Sequence, residues 1–284
     1  MIITNKYNLP QALVDVVKAG VYDPNPDTYS ATTLLNPTRS ILLNRRHYNE
    51  IEQDANEMMN MVIGTAVHSL IEKMDKTGFA EMYLKEGKLT GKCDLYDAEN
   101  FTLVDYKTAT TWKIIHQDFD DWKKQGLIYA LLLTKSGHFV KELKFHAILK
   151  DWSPRDARKG GDYPQAQVYT WQYTITPQDL KEIEDFVNNK INELESLKNV
   201  SDDDLPDCGK EDTWYTGDKY AVYKKSGQAR ADRVLDTEQE AHDYITNKLG
   251  GAGVIEFRKG EYRRCQDYCN CCKWCKYYNE RKAE

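Results

Sequence analysis

Apolar and polar positions recur along this chain with two different periods, and each change of period marks a boundary between elements. LPQALVDVVKAG has helical spacing and stops at Gly20, ahead of the proline-containing VYDPNPDTYS. Ser30 or Thr32 is placed to cap a second helix reaching about Tyr48, interrupted at Pro37 and closed by Arg45, Arg46 and His47. The clearest helical stretch runs from about Asn56 to Lys76. Its apolar stripe of Val62, Ile63, Ala66, Val67, Leu70, Ile71 and Met74 is expected to be buried, with Gly78 as the stop. Gly64, His68 and Glu72 share a neighbouring face at spacings of four.

The period then becomes two. Phe79 to Leu89 reads as a strand, and Lys92 to Tyr96 and Phe101 to Tyr106 read as the arms of a hairpin around the turn residues Asp97 to Asn100. A turn centred on Ala98 and Glu99 sets Tyr96 opposite Phe101 and Asp94 opposite Leu103. It places Asp94, Leu103, Asp105 and Lys107 on one face, with the two carboxylates roughly 7 to 8 Å apart by backbone position, within reach of one divalent cation. An acid and a lysine two apart on a strand read equally well as a solvated salt bridge.

Helical spacing returns after Asp118, Asp120 and Asp121, any of which is placed to cap, and lasts until Gly137. Leu127, Ile128, Leu131 and Leu132 supply the buried side, and Gln125 and Tyr129 lie one turn apart. Glu142 to Lys150 and Gln165 to Ile175 alternate as strands, and Pro177 opens a helix to Leu197. The acidic NVSDDDLPDC marks a boundary. Beyond it, KYAVYK and QARADRVL read as short strands, and TEQE opens a helix from Thr237 with capping-box spacing. The expected organisation is an N-terminal helical entry segment (1–55), an α/β core (56–198), a small α+β insertion (199–255) and a cysteine-rich basic and aromatic C-terminal segment (256–284).

With 40% hydrophobic and 30% charged residues, the 284-residue chain has the balance of a folded protein with a full core. It holds no run of 18 apolar residues and no basic N-terminus followed by an apolar stretch, so the expectation is a cytoplasmic protein without a membrane partner. The net charge of -6 argues against a uniformly basic nucleic-acid coat and leaves room for a local positive path. Of the seven cysteines, five crowd between Cys265 and Cys275, which reads as a metal or iron–sulfur site rather than a disulfide framework, while Cys93 and Cys208 look isolated. Basic and aromatic residues interleave in the same stretch, the mix expected of a surface that grips a single strand.

In order, GTAVHSLIE, GKCD, VDYKT and QGLIY resemble the RecB-like branch of the PD-(D/E)XK nuclease superfamily, over about Gly64 to Tyr129. The basic helix before GTAVHS, the stretch GDKYAVYKKSGQAR and the spacing of Cys265, Cys269 and Cys275 are similar to stand-alone exonucleases of phages and prophages. The resemblance implies a restriction-endonuclease-like fold, a central mixed sheet flanked by helices, with a cysteine-rich extension. It also implies a divalent-metal-dependent DNA exonuclease acting on ends or single strands. On that basis His68, Asp94, Asp105 and the backbone carbonyl of Tyr106 would hold Mg²⁺ or Mn²⁺, with Asp94, Asp105 and Lys107 catalytic. Lys107 would position the attacking water, Gln125 and Tyr129 would orient the strand, and Glu72 would support His68. Iron–sulfur relatives take one cysteine from before the core, which this chain lacks. Cys272 then joins Cys265, Cys269 and Cys275 as a candidate fourth thiolate for a [4Fe-4S] cluster or a structural Zn²⁺. With no GxxxxGK[ST] loop, unwinding would fall to a helicase or recombinase partner in trans, within the host cytoplasm if the chain is phage-encoded. The reading of a different class is a non-catalytic nucleic-acid-binding or recombination-accessory protein that keeps the fold.

Overall fold

A computed structural model describes residues 1–21, 24–74 and 79–283, apart from the side chains of Glu72 and Ala283. The expected stop at Gly78 and the expected helix end at Lys76 lie outside the described residues. The chain divides into two compact units, Met1–Ser201 and Asp202–Glu284.

The first unit begins with strand β1 (Ile2–Thr4), helix α1 (Gln11–Gly20), strand β2 (Tyr29–Ser30), helices α2 (Ala31–Leu34) and α3 (Thr38–Arg46) and strand β3 (Glu52–Asp54). Ser30 caps α2 by accepting the Thr33 N–H, and Pro37 separates α2 from α3 at the expected place. β1 pairs with β3, and Val14, Val17 and Ala55 form a small core beneath them. Next come α4 (Met59–Met74), β4 (Phe79–Glu86), β5 (Leu89–Asp97), β6 (Thr102–Ala109), α5 (Thr111–Ile115), α6 (Asp120–Lys135), β7 (Glu142–Leu149), α7 (Pro154–Ala157), β8 (Val168–Thr174) and α8 (Pro177–Ser196).

Six strands make a mixed sheet in the order β2-β5-β6-β7-β8, with β4 on β5. β6 and β7 run parallel, joined through α5 and α6, the helical crossover that a parallel pair requires. Leu143, Phe145, Ala147 and Leu149 alternate inward along β7. α6 lies against them so closely that a methyl at Gly126 would stand 2.9 Å from Leu143 and 3.0 Å from Phe145. α6 is therefore buried along most of its length, Gly126 to Leu133 without a break. α8 packs beside it and starts with Pro177 and a capping box between Thr176 and Asp179. The expected side-chain cap at the start of α6 is not made; Phe119 occupies that position.

Two expectations are corrected here. The turn after β5 is longer than a two-residue connection, because Asp97 Oδ1 accepts the N–H groups of both Glu99 and Asn100 and Phe101 is left-handed at φ 53°. The register is consequently Tyr96 opposite Leu103 and Leu95 opposite Val104, two residues from the expected pairing. The second correction concerns α4. None of its stripe residues is buried, and Ile63, Leu70 and Met74 are exposed.

The second unit holds β9 (Lys219–Tyr223), β10 (Arg233–Leu235), α9 (Glu238–Lys248), β11 (Val254–Arg258), α10 (Arg263–Asp267) and α11 (Lys276–Ala283). Its sheet runs β10-β9-β11, all antiparallel, and Thr237 and Glu240 form the capping box that opens α9. Among the described residues no helix is long and apolar enough to cross a membrane.

Candidate active site

β5 is the strand on which the site is built. One of its edges pairs with β4 along nearly its whole length; the other is shared, β2 taking Leu89 and Thr90 and β6 taking Leu95 to Asp97. Gly91 to Asp94 fall in the gap, where β6 parts from β5 and follows β7. A backbone N–H exposed by such a fork needs an acceptor. Asp94 supplies it: its Oδ2 accepts the Tyr106 N–H at 2.8 Å. Oδ1 of the same carboxylate lies 3.2 Å from Nδ1 of His68 on α4. That contact raises the imidazole pKa above its usual value against the opposing effect of partial burial.

Asp105 sits on β6, only 3% exposed. Burial raises its pKa well above the ordinary carboxylate range; Lys107 opposes the shift and the nearby charge of Asp94 adds to it. Lys107 Nζ is 2.7 Å from Asp105 Oδ2, but that buried oxygen receives no directed hydrogen bond, so the contact is an ion pair. The ammonium does donate to Gln125 Oε1 at 2.8 Å, and Gln125 Nε2 donates to the Tyr129 hydroxyl at 3.1 Å. Tyr129 is buried, and burial raises its phenol pKa, with Asp105 adding to the effect. A continuous polar chain thus runs Asp105, Lys107, Gln125, Tyr129. Tyr106, between the two acid-site residues of β6, pairs with His146 of β7, and its ring stacks on that imidazole at 5.6 Å. The side chain of Glu72 lies outside the described residues.

The donor set suits a hard divalent cation in kind, with one imidazole and two carboxylates, one of which has a buried oxygen that receives no directed hydrogen bond. Among the described residues, however, no three His, Cys, Asp or Glu side chains converge closely enough to hold a metal ion. The hydrogen bonds explain why: Asp94 is occupied by His68 and the Tyr106 N–H, and Asp105 by Lys107. Binding a cation requires these carboxylates to exchange internal partners for the ion.

No protein-family model matches the chain, and no curated protein matches it. Solved structures do. The crystal structure of SSO0001 aligns with a TM-score of 0.45 at 14% identity, over 63% of this chain and 83% of that one. LHK-Exo, an alkaline exonuclease from Laribacter hongkongensis, aligns in its complex with dAMP with a TM-score of 0.37 at 14% identity, over 60% of this chain and 89% of that one. A phage related exonuclease from Haemophilus somnus 129PT aligns with a TM-score of 0.33 at 11% identity, over 66% and 81%.

Two acidic or thiol groups escaped the sequence reading. Glu81 of β4 lines the same small cleft as His68, Asp94 and Tyr106, and forms an ion pair with Lys92. Its place opposite Asp94 depends on the β4 to β5 register, which no local spacing reveals. The other is Cys208, which is not isolated. Within the second unit, Asp207 pairs with Arg281 at 3.2 Å, the Arg264 N–H donates to the Thr213 carbonyl at 3.1 Å, and Tyr215 bridges Tyr262. These contacts lay the segment around Cys208 along the C-terminal stretch. Burial pushes the Cys208 thiol up to about 12, and Cys275, Cys265 and Cys269 add to the shift. Cys265 is pushed up to about 11 by burial and then by Cys269 and Cys275. Cys272 is raised by burial and then by Cys269 and Cys275, without Cys208 among its main influences. Cys93 is a packed thiol: buried under β4, it is pushed up to about 11 by burial.

Proposed function

We propose that the first unit is a divalent-metal-dependent deoxyribonuclease, an exonuclease that hydrolyses phosphodiester bonds at DNA ends or in single strands during phage DNA processing, recombination or degradation. The observation that carries this reading is the buried Asp105 carboxylate, paired with Lys107 beside the Asp94–His68 contact at the fork of β5 and β6. A buried acid with a half-buried lysine two residues on along a core strand costs desolvation, and such pairs gather at functional sites.

His68, Asp94, Asp105 and the Tyr106 carbonyl would hold Mg²⁺ or Mn²⁺, which would supply Lewis acidity against the charge that builds on the phosphate oxygens. Lys107, fixed between Asp105 and Gln125, presents its ammonium where attacking water and scissile phosphate meet. In the reaction the water oxygen bonds to phosphorus and gives up a proton, the ester P–O bond breaks, and the departing sugar oxygen takes up a proton, so none is gained or lost overall. Lys107 favours this by stabilising the growing negative charge. Gln125 and Tyr129 orient the strand without adding charge. Opening a duplex would fall to a helicase or recombinase partner in trans. In the second unit we assign a soft-metal centre, a [4Fe-4S] cluster or Zn²⁺, to Cys265, Cys269 and Cys275. Cys208 is put forward as the fourth thiolate in place of Cys272, because the Asp207–Arg281 pair and the contacts of Thr213 and Tyr215 lay its segment along the C-terminal stretch.

End-labelled single- and double-stranded DNA, incubated with the protein without metal, with Mg²⁺ or with Mn²⁺, tests the reading. Metal-dependent shortening from the ends is expected, and Asp105→Ala should reduce it by about 10²-fold or more. DNA binding without cleavage in either metal would instead mark a non-catalytic binding protein.

A further inference from the structure

Glu81 sits where a glutamate has reason not to be. The β4 to β5 ladder pairs Ala80 with Leu95 and Met82 with Cys93, leaving Glu81 and Asp94 across from each other without ladder partners. Glu81 adopts φ 54° in mid-strand. This left-handed conformation is unfavourable for any residue with a Cβ and persists only where surroundings hold it. The unbroken register on either side sets Glu81 on the same face as Asp94, and Glu81 lines the cleft with His68, Asp94 and Tyr106.

We propose that Glu81 is a further carboxylate of the cation site, set across from Asp94 by the β4 to β5 register and held in reserve by Lys92. The inference rests on reading this cleft as a divalent-metal site. Glu81 is 19% exposed in its side chain and its partner Lys92 is 58% exposed. An exposed lysine on a flexible stem is a weak partner that a divalent ion displaces readily. Asp105 supports the same reading: it is almost fully buried, and the Oδ2 that lies against Lys107 receives no directed hydrogen bond. With Asp94 and Asp105 both engaged internally, a third carboxylate with a displaceable partner is the group best placed to capture the ion first. Lys92, once released, stands two residues from Asp94 on β5 and is free to meet a phosphate.

Isothermal titration of metal-stripped full-length protein with MnCl₂ tests the proposal without relying on activity. Glu81→Gln should raise the Mn²⁺ dissociation constant about tenfold, whereas Lys92→Gln should bind Mn²⁺ at least as tightly as the unaltered protein. Glu81→Gly should melt no lower than the unaltered protein, because glycine relieves the left-handed backbone, and yet bind Mn²⁺ as weakly as Glu81→Gln. Binding by Glu81→Gln within twofold of the unaltered protein would overturn the proposal. Equal weakening by Glu81→Gln and Lys92→Gln would overturn it too, since only the ion pair would then matter. Weakened binding in Asp105→Asn alone would sink Glu81 and spare the metal site, while unaltered protein that binds no Mn²⁺ would sink both.

Discussion

A methyl group at Gly91 would stand 2.8 Å from Leu132 Cδ1 and 2.9 Å from the Tyr129 ring. Gly91 therefore does for β5 what Gly126 does for β7: it lets α6 press onto the sheet until Gln125 reaches Lys107 and Tyr129 reaches Gln125. Gly91→Ala should destabilise the protein by about 1 to 3 kcal/mol in urea unfolding, since overpacking displaces rigid neighbours. It should also reduce Mn²⁺-dependent DNA cleavage by about 10²-fold, through misplacement of Lys107. At this scale the sequence was informative about chemistry and silent about geometry. GKCD, VDYKT and QGLIY named residues that the fold brings into contact, yet the close approach at Gly91 and the turned backbone of Glu81 arise from distant partners that no local pattern encodes.

Among the elements, α8 offers the clearest pH signature. Asp179 is raised by burial, but hydrogen bonds from the Thr176 side chain and backbone, from Tyr173 and from Lys123 outweigh that and lower its pKa from 3.8 to about 2. A carboxylate depressed in the folded state contributes stability that is complete above its unfolded pKa and disappears as pH falls through the folded value. Asp179→Ala should therefore lower stability by about 1 to 2 kcal/mol at pH 7, with the difference shrinking between about pH 4 and pH 2 in denaturation curves measured across that range. Element types were legible where one period persists, as in β7, α6 and α8. Registers were not. The hairpin pairing differs by two residues because Asp97 and the left-handed Phe101 build a longer turn, and a shift of two preserves parity, so Asp94 and Asp105 keep the same face. The α4 stripe misled for a different reason: apolar periodicity reports that a face could be buried, and here Ile63, Leu70 and Met74 stay exposed.

For the molecule as a whole, the net charge of -6 and the basic residues near the C-terminus coexist because many of those cations are engaged internally. Arg281 pairs with Asp207 and lies 4.8 Å from the Tyr262 ring centre, and Arg264 lies 5.6 Å from that of Trp214. The place of Cys208 was illegible in sequence, because its segment comes alongside the C-terminal stretch only after the chain has passed through three strands and a helix. Cys208→Ser should abolish bound iron and acid-labile sulfide, or stoichiometric zinc, in the purified protein, while Cys272→Ser should leave the metal content unchanged. The reverse outcome would return the fourth ligand to Cys272. The most direct test of DNA hydrolysis at the fork of β5 and β6 is single-turnover cleavage of end-labelled DNA at saturating Mn²⁺ by unaltered protein and by Lys107→Ala. The structure's arrangement of Asp105, Lys107 and Gln125 predicts a loss of about 10²-fold or more in rate with DNA binding retained; an unchanged rate would contradict it.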